Sequence, residues 1–239
     1  MKVINLCMDW VICRLLCEIK KEDMTMFVSH VLYRVDNLPE AVKKLKDAGF
    51  LIHVPGNLET AFHAILWFEK GPYLELIVPE KSMVFPKWLM YLTGYRLFVK
   101  RQKKWIEAPQ GWCDVVLESY AQDLRIEKEL IKKHSVRFKQ FRPKVKNEKG
   151  QEISWWSMTV DDYYFPFMVS AYNIDPRPSS VVHPNGVTGV DKVFIGKQNL
   201  NQSLFQDLLT NESWCELVDG RGVQTVSLKG TNLKIEEIL

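Results

Sequence analysis

One stretch of this chain is written more than once. Residues 28–80 read VSHVLYRVDNLPEAVKKLKDAGFLIHVPGNLETAFHAILWFEKGPYLELIVPE, a strand, a helix and further strands, and the pattern restarts near residues 111 and 190. Such a repeat limits the fold more than composition does. A small sheet with one helix cannot bury both of its faces, so it must find a copy of itself to pack against. In the first copy, residues 28–35 alternate, with His30, Leu32 and Arg34 on one face and Val31, Tyr33 and Val35 on the other. Asp36-Asn37 supplies a helix cap, Pro39 suits the first turn, Gly49 stops the helix, and Leu38, Val42, Leu45 and Ala48 give it one apolar stripe. A Pro-Gly turn at 55–56 precedes a strand over 61–69, and the Glu69-Lys70-Gly71-Pro72 turn leads to another over 73–78. The order is β-α-β-β-β.

The second copy opens with GWCDVVLES at 111–119. Asp123 is the expected cap of a helix carrying Ile126, Leu130, Ile131 and His134 on one side, and strands are expected over 136–144, 152–160 and 165–172. Between the two copies lies a connector, 81–110. Phe85, Trp88, Leu89, Leu92 and Tyr95 have helical spacing, and then Arg96, Lys100, Arg101, Lys103 and Lys104 surround Phe98 and Trp105. A basic, aromatic run suits a nucleic-acid strand or anionic lipid. With no second basic cluster in support, a helix docked on the sheet followed by a solvated basic loop is the better reading. Pro176, Pro178 and Pro184 mark 173–189 as a linker or lid. In the third copy, 190–239, Lys192 to Leu200 line up without gaps on His30 to Leu38, and Lys229 to Ile235 on Lys70 to Leu76. Asp219-Gly220 reads as a hairpin turn. This copy is degenerate, since Lys192 stands for His30 and Lys234 for Glu75.

The remaining bounds are broad. Apolar residues make up 46% and charged residues 26%, the balance of an ordinary globular protein, and a net charge of +3 is too weak to argue for nucleic acid. Of five cysteines, three crowd the first 17 residues, leaving Cys113 and Cys215, which suits a reducing cytoplasm rather than a disulfide framework. No apolar run is long enough to span a membrane. Residues 1–25 make a poor signal peptide, because Asp9 and Arg14 interrupt the apolar stretch and no small-residue cleavage site follows. Lys21-Glu22-Asp23 can be encoded by a bacterial ribosome-binding sequence just upstream of Met24 and Met26. The expectation is therefore that translation starts at Met26 and the leader is upstream DNA read as protein, the competing reading being a genuine N-terminal helix. Intact mass of protein made from its own promoter separates the two.

Ser29-His30 opening a strand, Ala48-Gly49-Phe50 ending the helix and Tyr73-Leu74-Glu75-Leu76-Ile77 closing the unit resemble the glyoxalase-like domain of the vicinal-oxygen-chelate superfamily. Gly111-Trp112 and His183-Pro184-Asn185-Gly186 are further landmarks of that family. The resemblance implies an α+β fold of repeated βαβββ units forming cupped mixed sheets around a cavity between units one and two. The third unit is left over, either pairing with its own copy in a homodimer or covering the outside of the first pair. The resemblance also implies that one position on each unit's opening strand and one on its closing strand face the cavity. Unit one supplies His30 and Glu75 there, a candidate pair of ligands for zinc, manganese, iron or nickel. Unit two offers Trp112 and Asp114, on one face by alternation, and Phe167 where Glu75 would lie, so the usual two-by-two ligand set is missing.

Glu75 is the foremost catalytic candidate, as metal ligand or general base, since an unpaired carboxylate on an enclosed face costs several kcal/mol and calls for a cation, a metal or a proton. His63 shares a strand face with Ile65 and Trp67. Trp67, Tyr73, Trp112 and Phe167 are candidate walls of an apolar ligand site, and His183, within a turn, could lean over its mouth. No phosphate loop, dinucleotide fingerprint, nucleophile elbow or Cys-rich zinc site is present. Three functions stay open: a metal-dependent lyase or isomerase acting on a small oxygenated metabolite, a metal-free binding protein of the drug-sequestering, bleomycin-resistance type, and a structural or regulatory dimer.

Overall fold

The computed structural model describes residues 26–79, 94–209 and 214–239. The N-terminal leader and most of the helix expected over 85–95 lie outside these residues. Its centre is a seven-stranded mixed sheet in the order β2-β3-β1-β4-β9-β8-β5. The two inner strands, β1 (Met26–Arg34) and β4 (Gly111–Ser119), run antiparallel and are the opening strands of the first two copies. Each is flanked by the closing strand of its own copy, β3 (Tyr73–Ile77) beside β1 and β9 (Phe167–Val169) beside β4, both parallel. β2 (His63–Leu66) edges the first half. The strand expected between the first helix and β2 is reduced to a single bridge, His53 to Ile65. In the second half the long hairpin is bent: β5 (Phe138–Phe141) and β8 (Ser157–Val160) stay in the sheet, while β6 (Lys144–Lys146) and β7 (Glu152–Ser154) continue as a separate two-stranded tip.

Local chemistry sets the helices. In α1 (Leu38–Asp47) the Asn37 side chain accepts from Glu40 N–H, Pro39 sits in the first turn, and Leu38, Ala41, Val42 and Leu45 are buried. Gly49 ends it at φ 82°, a left-handed conformation that only glycine adopts without strain. α2 (Arg96–Glu107) replaces the expected basic loop. It buries Phe98, Val99, Arg101 and Lys104, an i, i+3, i+6 stripe that a hydropathy reading scores as polar. In α3 (Arg125–Lys133) the cap position is Leu124 and not Asp123, which lies one residue earlier and accepts from Arg125 N–H, and the buried side is Glu127 and Ile131.

The third copy forms β10 (Gly189–Lys197), α4 (Gln202–Leu208), β11 (Cys215–Val218), β12 (Arg221–Lys229) and a terminal turn of helix, α5 (Ile235–Ile238). Its opening strand matches β1 closely. β10 pairs antiparallel with β12 through register shifts at Val190/Lys192 and Phe194/Ile195, the aligned counterparts of those at Val28/His30 and Leu32/Tyr33 between β1 and β4. Two expectations fail here. Asp219-Gly220 is not a hairpin turn, because β11 and β12 lie on opposite sides of β10 and the link crosses the end of that strand. Gly196 permits the crossing, since a Cβ there would stand 2.3 Å from Arg221 N. Lys234 is not on a closing strand, for it follows β12 and precedes α5. The third copy's Val190, Val193, Ile195, Leu204, Phe205 and Val226 join one core with Val31, Leu45, Leu74 and Leu117 of the first two copies, so its apolar side is covered within the chain.

Candidate functional site

The sheet has two faces with different contents. Val31, Tyr33, Leu74, Leu76, Val115 and Leu117 point into the main core. The other face carries His30 and Leu32 from β1, Tyr73, Glu75 and Ile77 from β3, His63 and Ile65 from β2, and Asp114, Val116 and Glu118 from β4, partly covered by α2 and by the Pro-rich segment 173–183.

On this second face the structure brings His30, His63 and Glu75 together. His63 Nδ1 donates to Glu75 Oε1 at 2.6 Å, and Glu75 Oε2 lies 3.4 Å from His30 Nε2. The Tyr73 ring stacks on His30 with centroids 4.4 Å apart, and Trp67 packs on Tyr73 at 4.3 Å. Exposure falls along the cluster, from 23% at the His63 side chain through 17% at Glu75 to 7% at His30. Burial pushes the Glu75 carboxyl up, but the hydrogen bond and charge of His63, with His30 adding, outweigh it and hold the acid below its ordinary range. Burial likewise lowers His63, yet its bond to Glu75 prevails and leaves it above 6.5. Burial takes His30 down to about 4, opposed by the Glu75 charge and assisted by that of Arg177. At neutral pH Glu75 is therefore a carboxylate and His30 a neutral imidazole, while His63 holds its proton more tightly than a free imidazole does.

The polar chain continues beyond what sequence reasoning found. The register shift at Val28/His30 makes Ser29 an extra residue in its strand, placing its hydroxyl beside His30 on the second face. Ser29 Oγ donates to Glu118 Oε2 at 2.6 Å and lies 3.1 Å from His30 Nδ1. Arg177, from the Pro-rich segment, pairs with Glu118, donates to Ser29 Oγ at 3.3 Å and lies 5.9 Å over the Tyr73 ring. Glu118 could have been found by the reasoning that singled out Glu75, a charge within an apolar strand. Arg177 carries no comparable signal.

Four other candidates lie elsewhere. The second register shift, at Leu32/Tyr33, reverses the alternation of β4, so Trp112 and Asp114 occupy opposite faces. Trp112 packs edge-on against Tyr33 beside the main core. Asp114 is buried under α2, accepting from Arg101 Nη1 at 2.9 Å, Lys104 Nζ at 3.2 Å and Trp105 Nε1 at 2.7 Å. With those partners it has no lone pair directed at a ligand. Phe167 packs against Phe98 and Trp105 of α2. His183 is a structural tie, its Nδ1 accepting from Leu51 N–H and its Nε2–H donating to the Trp67 carbonyl, each at 3.0 Å.

This donor set does not suit a resident divalent metal. Among the described residues no group of three or more His, Cys, Asp or Glu side chains is placed to hold one. His30 Nε2 and Glu75 Oε2 lie 3.4 Å apart, the other Glu75 oxygen is held by His63, and among the described residues unit two contributes no further ligand. Two clefts are formed by other residues, and neither is lined by His30, His63 or Glu75, the pair expected to face a cavity included. One of about 750 Å³ runs between the 49–53 turn and the Pro-rich segment, walled by Phe50, Trp67, Pro176 and Val181; another of about 300 Å³ lies between α2 and residues 159–163.

The fold agrees with comparison to known proteins. A family model described as the glyoxalase-like domain matches residues 28–209, more than half of the chain. The chain belongs to the glyoxalase-like domain family, within the vicinal-oxygen-chelate superfamily. This glyoxalase-like protein is similar in structure to a hypothetical protein from Staphylococcus aureus, with a TM-score of 0.58 and 13% identity over 88% of this chain and 92% of that one. At that identity the likeness concerns the fold. A Mn(II)-bound glyoxalase from Novosphingobium aromaticivorans gives a TM-score of 0.48 and 8% identity over 89% of this chain and 69% of that one. No curated protein matches the sequence. Among the described residues, no helix of this glyoxalase-like protein is long and apolar enough to cross a membrane.

Proposed function

We propose that this glyoxalase-like protein binds a small oxygenated metabolite at His63, Glu75 and His30 and transfers protons on it, with no resident metal. The observation that carries this reading is the mostly buried carboxylate that accepts from His63 Nδ1 at 2.6 Å and lies 3.4 Å from His30 Nε2, its surroundings raising one imidazole's pKa and lowering the other's. Environments that drive paired titratable groups apart set an acid beside a base. His63, at the exposed end, is the acid that protonates a carbonyl oxygen. Glu75 is the base that removes a proton from the adjoining carbon, and His30 with Tyr73 forms the floor on which the substrate rests. One proton leaves carbon and another reaches oxygen, the balance of an isomerase or lyase half-reaction.

The test uses small hydroxycarbonyl compounds in D2O, watched by NMR. Wild-type protein should wash deuterium into the carbon next to the carbonyl, and Glu75→Gln, which keeps shape and removes charge, should slow this by about 10²-fold or more. No exchange with any of the compounds, or unchanged exchange by Glu75→Gln, overturns the reading. Metal content of protein purified without chelator is expected well below one ion per chain. A stoichiometric divalent ion lost in His30→Ala would restore the metal-dependent alternative. A sequestering role is favoured by the cleft walled by Phe50 and Trp67, and would show as ligand binding that survives Glu75→Gln without any turnover.

A further inference from the structure

The hydrogen-bond directions around His30 settle which of its nitrogens carries the proton. A serine hydroxyl has one proton to give and two lone pairs to receive with. Ser29 gives its proton to the Glu118 carboxylate at 2.6 Å, a short, charge-assisted bond, and Glu118 is itself paired with Arg177. Arg177 Nη2 also donates to Ser29 Oγ, which leaves one lone pair on that oxygen. His30 Nδ1, at 3.1 Å, must then be the protonated nitrogen, donating to Ser29. With the ring neutral, as its burial favours, the lone pair of Nε2 is turned toward Glu75 Oε2, a second acceptor 3.4 Å away. Two acceptors meet in a nearly buried place with no protein proton between them. His63 does not supply it, because its Nδ1–H is directed at the other Glu75 oxygen.

We propose that Ser29, Glu118 and Arg177 are positioning residues that lock His30 in its Nδ1–H tautomer, so that the acceptor pair formed by His30 Nε2 and Glu75 Oε2 selects ligands that bring a hydroxyl donor. The inference deepens the functional reading above and rests on it for the ligand, while the tautomer lock stands on the protein alone. It gives the Pro-rich segment a role in the site. Pro176 and Pro178 restrict the backbone on either side of Arg177, and its guanidinium reaches across to β1 and β4, where it also lies over the Phe27 and Tyr73 rings. Without that guanidinium the Glu118 charge would be left unpaired beside Ser29. A carboxylate ligand, acceptor only, would add a third lone pair to the same point and is selected against.

The experiment is long-range 1H–15N NMR on protein with 15N-labelled histidine at pH 7, with His30→Gln identifying the His30 signals. Wild type is expected to show the pattern of protonated Nδ1 and bare Nε2. Ser29→Ala should move His30 toward the Nε2–H tautomer, now donating to Glu75, and Ser29→Thr, which retains the hydroxyl, should restore the wild-type pattern. A wild-type ring protonated at Nε2, or a Ser29→Ala ring unchanged, overturns the lock. Arg177→Gln gives an independent reading and should mix the two tautomers; a pattern identical to wild type removes Arg177 from the relay. For the ligand half, hydroxyacetone and pyruvate are titrated to molar concentration as small probes with and without a hydroxyl donor. Hydroxyacetone should shift His30 Nε2 while pyruvate leaves it in place; a shift with pyruvate, or none with hydroxyacetone, overturns the donor requirement. Loss of Glu75-dependent proton exchange with the lock intact would instead count against the proposed function.

Discussion

His30 shows how much one buried ring can weigh on the whole molecule. Its folded pKa of about 4 lies below the value of 6.5 it has when exposed, because burial and Arg177 penalise the charged form more than Glu75 rewards it. Between those values the unfolded chain holds a proton that the folded chain refuses, so stability rises with pH across the window. The full shift is about 3 kcal/mol, present above pH 6.5 and lost as pH falls to 4. Glu75 acts in the same direction lower down, since its folded value lies below 4.5 and its contribution is lost as pH falls through it. His63 acts oppositely: its raised value makes its contribution complete below 6.5 and lost as pH climbs through the folded value. Urea unfolding at pH 4 to 8 should therefore give a maximum near neutrality. His30→Gln should flatten the acid side specifically, and an unchanged slope would show that another group carries it. Glu75 was legible from residues 73–77 alone because a charge in an apolar strand needs a partner. That the partner is His63, and not chiefly His30, depends on the antiparallel register of β2 on β3, which pairing rather than residue type decides.

At the scale of elements, what could be read and what could not divides along one line. α1 was legible to its cap because Asn37, Pro39 and Gly49 act on their own neighbours. The bulges at Ser29 and Cys113 were not, because an extra residue in a strand leaves no local mark yet reverses the faces of everything beyond it. One bulge parted Trp112 from Asp114, and the other added Ser29 to the site. α2 was hidden differently: Arg101 and Lys104 sit on its buried side because Asp114 awaits them. Burial raises Asp114, but Arg101 and then Lys104 overcome it and keep the acid ionised. The helix and the carboxylate are thus mutually dependent. Asp114→Ala leaves two cations buried without their partner and should cost about 3–5 kcal/mol in urea unfolding. Arg101→Met, which leaves Lys104 still paired with Asp114, should cost less. Equal losses would mean that packing under α2, rather than charge, holds it.

At the scale of the whole molecule, the turn His183-Pro184-Asn185-Gly186 ties the third copy to the first. His183 binds the Leu51 N–H after α1 and the Trp67 carbonyl after β2, while Asn185 Nδ2 donates to the Ala48 carbonyl at the end of α1. Asn185 lies so close to Gly49 that a Cβ there would stand 2.9 Å from the asparagine Cβ and 3.2 Å from its backbone nitrogen. On its other side the turn meets the third copy, where a Cβ on Gly230 would come within 2.3 Å of the Gly186 carbonyl oxygen. This close approach of backbone to backbone is what joins the end of β12 to the first copy, and it can be isolated by comparison. Gly230 and Gly56 both hold left-handed φ angles, 82° and 74°, but nothing lies within 4 Å of a Cβ built on Gly56. Gly56→Ala therefore bears only the conformational cost, about 1–2 kcal/mol. Gly230→Ala bears the same cost and must also push the turn away, so its urea midpoint should fall clearly further. Because one core spans the copies, that loss should appear in a single transition rather than as early release of residues 189–239. Equal midpoints for the two variants, or separate melting of the third copy, would show that the turn merely touches that copy and that the apolar core alone unites the molecule.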